Sequence, residues 1–162
     1  MAKRVVPFFP LKLVAFPGEQ LNLHIFEPRY KQLINECLDS GQTFVIPLFN
    51  EMIRDFGSEM TVERLVKRYP TGEMDIITRC QNAVQIFSFH EKLEDKLYAG
   101  GEIESIENIN DQNPEQWLEL RNLAKRLISV LKMDSAFDVD LVENSFELAH
   151  KLGLSLEQEY DM

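Results

Sequence analysis

The chain has 162 residues, 44% of them hydrophobic, which suits one domain, or one domain with a small helical extension, and is too apolar for disorder. Its 17 Lys and Arg stand against 27 Asp and Glu; the net charge of -10 repels phosphate backbones and anionic bilayers, so neither nucleic acid nor a membrane is an expected partner. Two cysteines are too few for a disulfide framework, and no stretch approaches the roughly 20 apolar residues of a membrane span.

The opening Met1-Ala-Lys-Arg-Val-Val-Pro7 has neither the apolar run nor the small-residue cleavage site of a signal peptide, so a cytoplasmic location is expected. Phe16-Pro-Gly-Glu19 reads as a turn, because Pro fixes φ and Gly accepts positive φ. Leu21-Asn-Leu-His-Ile25 alternates apolar and polar residues, as a half-buried strand does. Pro28 suits the first turn of a helix, where its missing N–H costs nothing. Tyr30, Leu33, Ile34, Cys37 and Leu38 then fall at i, i+3, i+4, i+7 and i+8, one apolar face, and Gly41 is placed to end the helix.

Thr43 to Phe49 reads as a strand in which Pro47 predicts an edge or a bulge. A hairpin follows, Met60 to Tyr69 and Met74 to Cys80, about a type I turn at Pro70-Thr-Gly72. Further strands are predicted from Ala83 to Phe89 and from Leu97 to Ile106. The polar stretch Asn108-Ile-Asn-Asp-Gln-Asn-Pro114 marks the one shift in composition. Beyond it, Trp117, Leu120, Ala124, Leu127, Ile128 and Leu131 predict an amphipathic helix. A second helix is expected from Val139 to Leu152, with Val142, Phe146 and Ala149 inward, closed by Gly153; a third starts at Leu154 and meets the last residue without a cap signal, as in a chain shortened at that end.

One segment carries more than periodicity. Phe16-Pro-Gly18 and Leu23-His-Ile-Phe-Glu-Pro-Arg-Tyr30, in that order, resemble the opening of the Lon N-terminal domain, including the form found in its stand-alone members. The resemblance continues more weakly through Tyr69-Pro-Thr-Gly72 and Leu97-Tyr98. Asn82 stands near a position where the family usually has Gly, and Gly101 where a small Ala is common. The resemblance implies an α+β fold: an N-terminal antiparallel β-sheet or pseudo-barrel domain with one inserted helix, over residues 1–107, then a C-terminal helical bundle over 108–162. It also implies a non-catalytic module that engages unfolded or degron-bearing polypeptides, or a protease or chaperone partner. The alternative is a structural or oligomerisation domain with a fixed protein partner, and a weak homo-oligomer is compatible with both.

The residues agree with that silence in chemistry. No G-x-x-x-x-G-K-[ST] string is present, so no backbone cradle for ATP phosphates is expected, and the Ser–Lys pair of the Lon protease module lies in a region this chain lacks. His24, His90 and His150 have no metal-ligand spacing, and neither cofactor nor metal is expected. Cys37 reads as a small hydrophobe, while Cys80 leaves a Cys–His pair as a minor alternative. Asp134, Asp138, Asp140 and Glu143 faintly suggest a Ca²⁺ loop, but the turn Gly is missing and helix capping is the preferred reading. Glu102 and Glu104 point one way on a strand, as on a solvated face.

Binding, if any, falls to the aromatics. Of Phe8, Phe9, Phe16, Phe26, Phe44, Phe49, Phe56, Phe87 and Phe89, most are expected in the core. Phe8 and Phe9 are neighbours in an extended segment, so one is exposed unless both faces are covered. Phe26, Glu27 and Arg29 form the entrance to the first helix, where Glu27 could complement the helix N-terminus and Phe26 staple it. Phe8, Phe9, Phe26, Glu27 and Arg29 are therefore the candidate protein-binding residues.

Overall fold

The computed structural model describes residues 2–108, 113–133 and 138–162. Most of the polar stretch between Asn108 and Pro114, and Asp134 of the acidic run, lie outside the described residues. The fold is mixed α+β and divides into two compact units, Met1–Asn108 and Ile109–Met162.

The first unit contains β1 (Arg4–Phe8), β2 (Gln20–Ile25), α1 (Pro28–Ser40), β3 (Phe44–Asn50), β4 (Met52–Arg68), β5 (Met74–Ile86) and β6 (Ala99–Ser105). The strand order is β2-β5-β4-β3-β1-β6, and a further β5–β6 pairing closes five of the strands into a ring. The sheet is not wholly antiparallel: β1 and β3 run parallel, with Phe8 opposite Val45. A hairpin cannot make a parallel pair. Here the chain passes through β2 and α1 before returning as β3.

Local signals place α1 as expected. Pro28 opens it, Tyr30, Leu33, Ile34 and Cys37 are buried, and Gly41 at φ 73° donates its N–H to the Cys37 carbonyl at 2.8 Å. Leu38 leaves the apolar face and is 36% exposed. Pro47 sits at a register shift, but β3 is no edge, since β4 and β1 flank it. The predicted strand Ala83–Phe89 is not separate. It continues the second arm of the hairpin, so β5 runs unbroken from Met74 to Ile86, past a shift opposite Glu59 and Met60. At the hairpin turn Gly72 N–H donates to the Tyr69 carbonyl at 2.9 Å, and Gly72 takes φ 84° after the type I geometry.

Phe8 and Phe9 do face opposite ways, and both faces are covered. Phe8 joins Val6, Val45, Val84, Ala99 and Ile103 in one core cluster. Phe9 joins the buried face of α1 with Phe44, Ile46, Met60, Met74, Ile76 and Tyr98 in another. A ring this small holds few aromatics, so Phe26, Phe49, Phe56, Phe87 and Phe89 remain exposed and only Phe8, Phe9, Phe16 and Phe44 of the nine are core. Gly101 has a concrete reason to be Gly: a Cβ there would stand 1.9 Å from the Ser88 carbonyl oxygen.

The second unit contains α2 (Pro114–Leu131), a 3-10 turn (Val139–Leu141), α3 (Ser145–Ala149) and α4 (Leu156–Asp161). Trp117, Leu120, Ala124 and Ile128 of α2 pack with Val139, Val142, Leu148 and Leu152. These partners are short segments, and Leu127 and Leu131 of α2 are exposed. The helix expected from Val139 to Leu152 is broken, because the Asn144 side chain accepts the Glu147 N–H and starts α3 afresh. Among the described residues no helix is long and apolar enough to cross a membrane.

Candidate functional site

β2 and the start of β5 are antiparallel, with His24 opposite Asp75. His24 Nδ1 lies 2.6 Å from Asp75 Oδ1, and Tyr69 donates its hydroxyl to Asp75 Oδ2 at 2.7 Å. The second imidazole nitrogen, Nε2, is 3.8 Å from Glu73 Oε2. Tyr69 meets the His24 ring edge-on at 5.8 Å, while Lys67 Nζ stands 4.4 Å over the Tyr69 ring. The hairpin end is tied down by Lys31 of α1, which donates to the Thr71 carbonyl at 3.0 Å. Hydrogen bonds from His24 and then Tyr69 hold the Asp75 carboxyl below the usual carboxylate range, and the bond to Asp75 raises the Tyr69 hydroxyl.

On this polar platform lies Phe26, the residue after β2. Its ring stacks near His24 at 6.1 Å and remains 59% exposed. The helix-staple role would need an apolar residue one turn into α1, and Lys31 occupies that position. Glu27 is the N-cap residue of α1 but makes no side-chain cap; its Oε2 instead accepts from Arg29 Nε at 2.9 Å. Phe26, Glu27, Arg29, His24 and Tyr69 thus form an aromatic anchor with a charged rim at one end of the sheet.

The LON substrate-binding domain of ATP-dependent protease La matches residues 5–160. The chain belongs to that family. The Lon N-terminal domain protein from Xanthomonas campestris is 26% identical, with a TM-score of 0.71 over 98% of this chain and 88% of that one. The N-terminal domain of Mycobacterium avium complex Lon protease has the same TM-score, 0.71, and the same coverage, 98% and 88%, at 14% identity, a likeness of fold alone. No curated protein matches the chain.

Within this LON substrate-binding domain, the five expected binding residues separate. Phe26, Glu27 and Arg29 are brought together at the surface, whereas Phe8 and Phe9 are buried in two clusters and present no face to a partner. The sequence reading passed over His24, Tyr69 and Asp75 as a set. Their register depends on pairing strands 51 residues apart, although the outward parity of His24 was visible.

The platform is poor in means of catalysis. Asp75 orients the imidazole, but the other nitrogen faces a carboxylate rather than a nucleophile. Cys80 is buried with its thiol directed at the Ala15 carbonyl at 3.5 Å, and burial pushes that thiol up to about 12. Cys37 is likewise buried and raised to about 12. Asp138 caps the 3-10 turn through the Asp140 N–H, and Asp140 pairs with Lys125 at 2.6 Å. Among the described residues no three His, Cys, Asp or Glu side chains are grouped to hold a metal ion.

Proposed function

We propose that this chain is a cytoplasmic, non-catalytic module that binds unfolded or degron-bearing polypeptides for a proteolytic partner. The observation that carries the reading is Phe26: a large aromatic, more than half exposed, held on a platform of His24, Tyr69 and Asp75 and rimmed by Glu27 and Arg29. Membership of a substrate-binding family supplies the class of ligand. An aromatic anchor with a polar surround is how protein interfaces concentrate affinity, at about 2 kcal/mol or more per hot spot. The rim charges then act mainly on association rate and salt dependence.

The test is binding of a reduced, carboxamidomethylated protein by Phe26→Ala. Affinity should fall about thirtyfold, equivalent to about 2 kcal/mol, with the melting temperature nearly unchanged because the ring is already in water. Unchanged affinity in a folded variant would move the recognition surface away from this platform.

A further inference from the structure

We propose that the open edge of β2 takes up an extended segment of the polypeptide client as an added strand. This rests on the polypeptide-binding reading above and specifies how the client is held. One edge of β5 is shared by β2, along residues 74–79, and β6, along 84–86, and its other edge is taken by β4. Among the described residues, β2 is therefore paired on one side only.

The direction of its free groups follows from the ladder. The Cys80 N–H donates to the Glu19 carbonyl at 2.9 Å, which makes Gln20 and Arg79 a non-hydrogen-bonded pair. Pairs alternate from there without a register shift. Leu21, Leu23 and Ile25 thus bond to β5, while Gln20, Asn22 and His24 turn their N–H and C=O groups to the open side.

Exposed strand edges are ordinarily blunted by Pro, by cations or by bulges. The far side of this same sheet is treated in that way. Beyond Met60, β4 no longer pairs with β3, and there it carries register shifts at Val62/Arg64 and Leu65/Lys67 together with Arg64, Lys67 and Arg68. Gln20–Ile25 contains no Pro, Lys or Arg and no shift. Its open row of donors and acceptors ends at the exposed ring of Phe26, so main-chain pairing and a side-chain anchor are contiguous. The occupant is an extended segment of unfolded chain, apolar at alternate positions to lie beside half-buried Leu21 and Leu23. It is neutral or basic, since this chain carries a net charge of -10.

The experiment uses the full chain and, as probe, reduced, carboxamidomethylated protein, whose blocked thiols add no negative charge. Amide exchange read by NMR should show Gln20, Asn22 and His24 fast in the free protein and at least tenfold slower at saturation, with Leu21, Leu23 and Ile25 slow in both. Asn22→Pro removes one outward N–H and leaves the β5 ladder intact, so binding should weaken about tenfold or more with a near-native melt. Unchanged exchange at the three outward amides, despite binding, overturns strand addition and leaves the polypeptide-binding reading standing. No binding by the native chain overturns both. Concentration-dependent mass abolished by Asn22→Pro, with client affinity untouched, would assign the edge to a second copy instead.

Discussion

Glu59 lies in β4 with a side chain 5% exposed, and three neighbours reach its carboxylate: Arg4 at 2.7 Å, Thr43 at 2.7 Å and Asn82 at 3.4 Å. Burial pulls its pKa upward, but the hydrogen bonds from Thr43 and Arg4, the Arg4 charge and the Asn82 amide together hold it below the ordinary 4.5. A depressed folded pKa means stability that is complete above about 4.5 and is lost as pH falls through the lower folded value. Glu59→Gln should cost about 1–3 kcal/mol near neutral pH and flatten the acid limb of melting temperature against pH. Identical acid limbs in the two proteins would remove Glu59 from the account. The sequence shows why such residues escape a reader. Asn82, near a position where the family usually has Gly, is not among the non-Gly residues with positive φ; its side chain donates to Glu59 across a β4–β5 pairing that no local pattern discloses.

Elements were legible in proportion to how local their causes are. For α1, the initiating Pro28, the apolar spacing and the terminating Gly41 all lie within the helix or beside it, and each does what its chemistry predicts. The 17 residues of β4 were read short, because Asp55-Phe-Gly-Ser58 has a loop-like composition. Gly57 is held there by tertiary packing, with its Cβ position 2.9 Å from the Ile46 carbonyl oxygen. Burial along α1 gives a sharp test. Leu33→Ala, at a side chain 0% exposed among Phe9, Phe44 and Met60, should cost about 2–5 kcal/mol in a denaturant melt. Leu38→Ala, five residues on but 36% exposed, should stay within about 0.5 kcal/mol. Equal losses at both would mean that the face of α1 is wider than Tyr30, Leu33, Ile34 and Cys37.

The whole chain raises the matter of how independently its parts act. The family match runs across both units, through residues 5–160, yet the core clusters divide cleanly by residue number. Among the described residues, two draw on those between Val6 and Ile103 and the third on those between Trp117 and Leu152. The closure of the ring was not legible in the sequence, because it depends on β5 pairing with β6 and on the parallel return of β3. Ring closure pairs five strands of the first unit edge to edge, and its two core clusters are built from residues between Val6 and Ile103. The platform of His24, Phe26, Tyr69 and Asp75, and the free edge of β2, also lie wholly within it. A fragment of residues 1–108 should therefore be soluble, unfold in a single cooperative transition, and bind reduced, carboxamidomethylated protein within about threefold of the intact chain, a difference under about 1 kcal/mol. Calorimetry checks the first half of that expectation and titration the second. Aggregation of the fragment would show that the helical unit completes its core. A folded fragment that has lost the client would instead place part of the recognition surface on residues 109–162, where Leu118, Leu123 and Val130 of α2 are exposed.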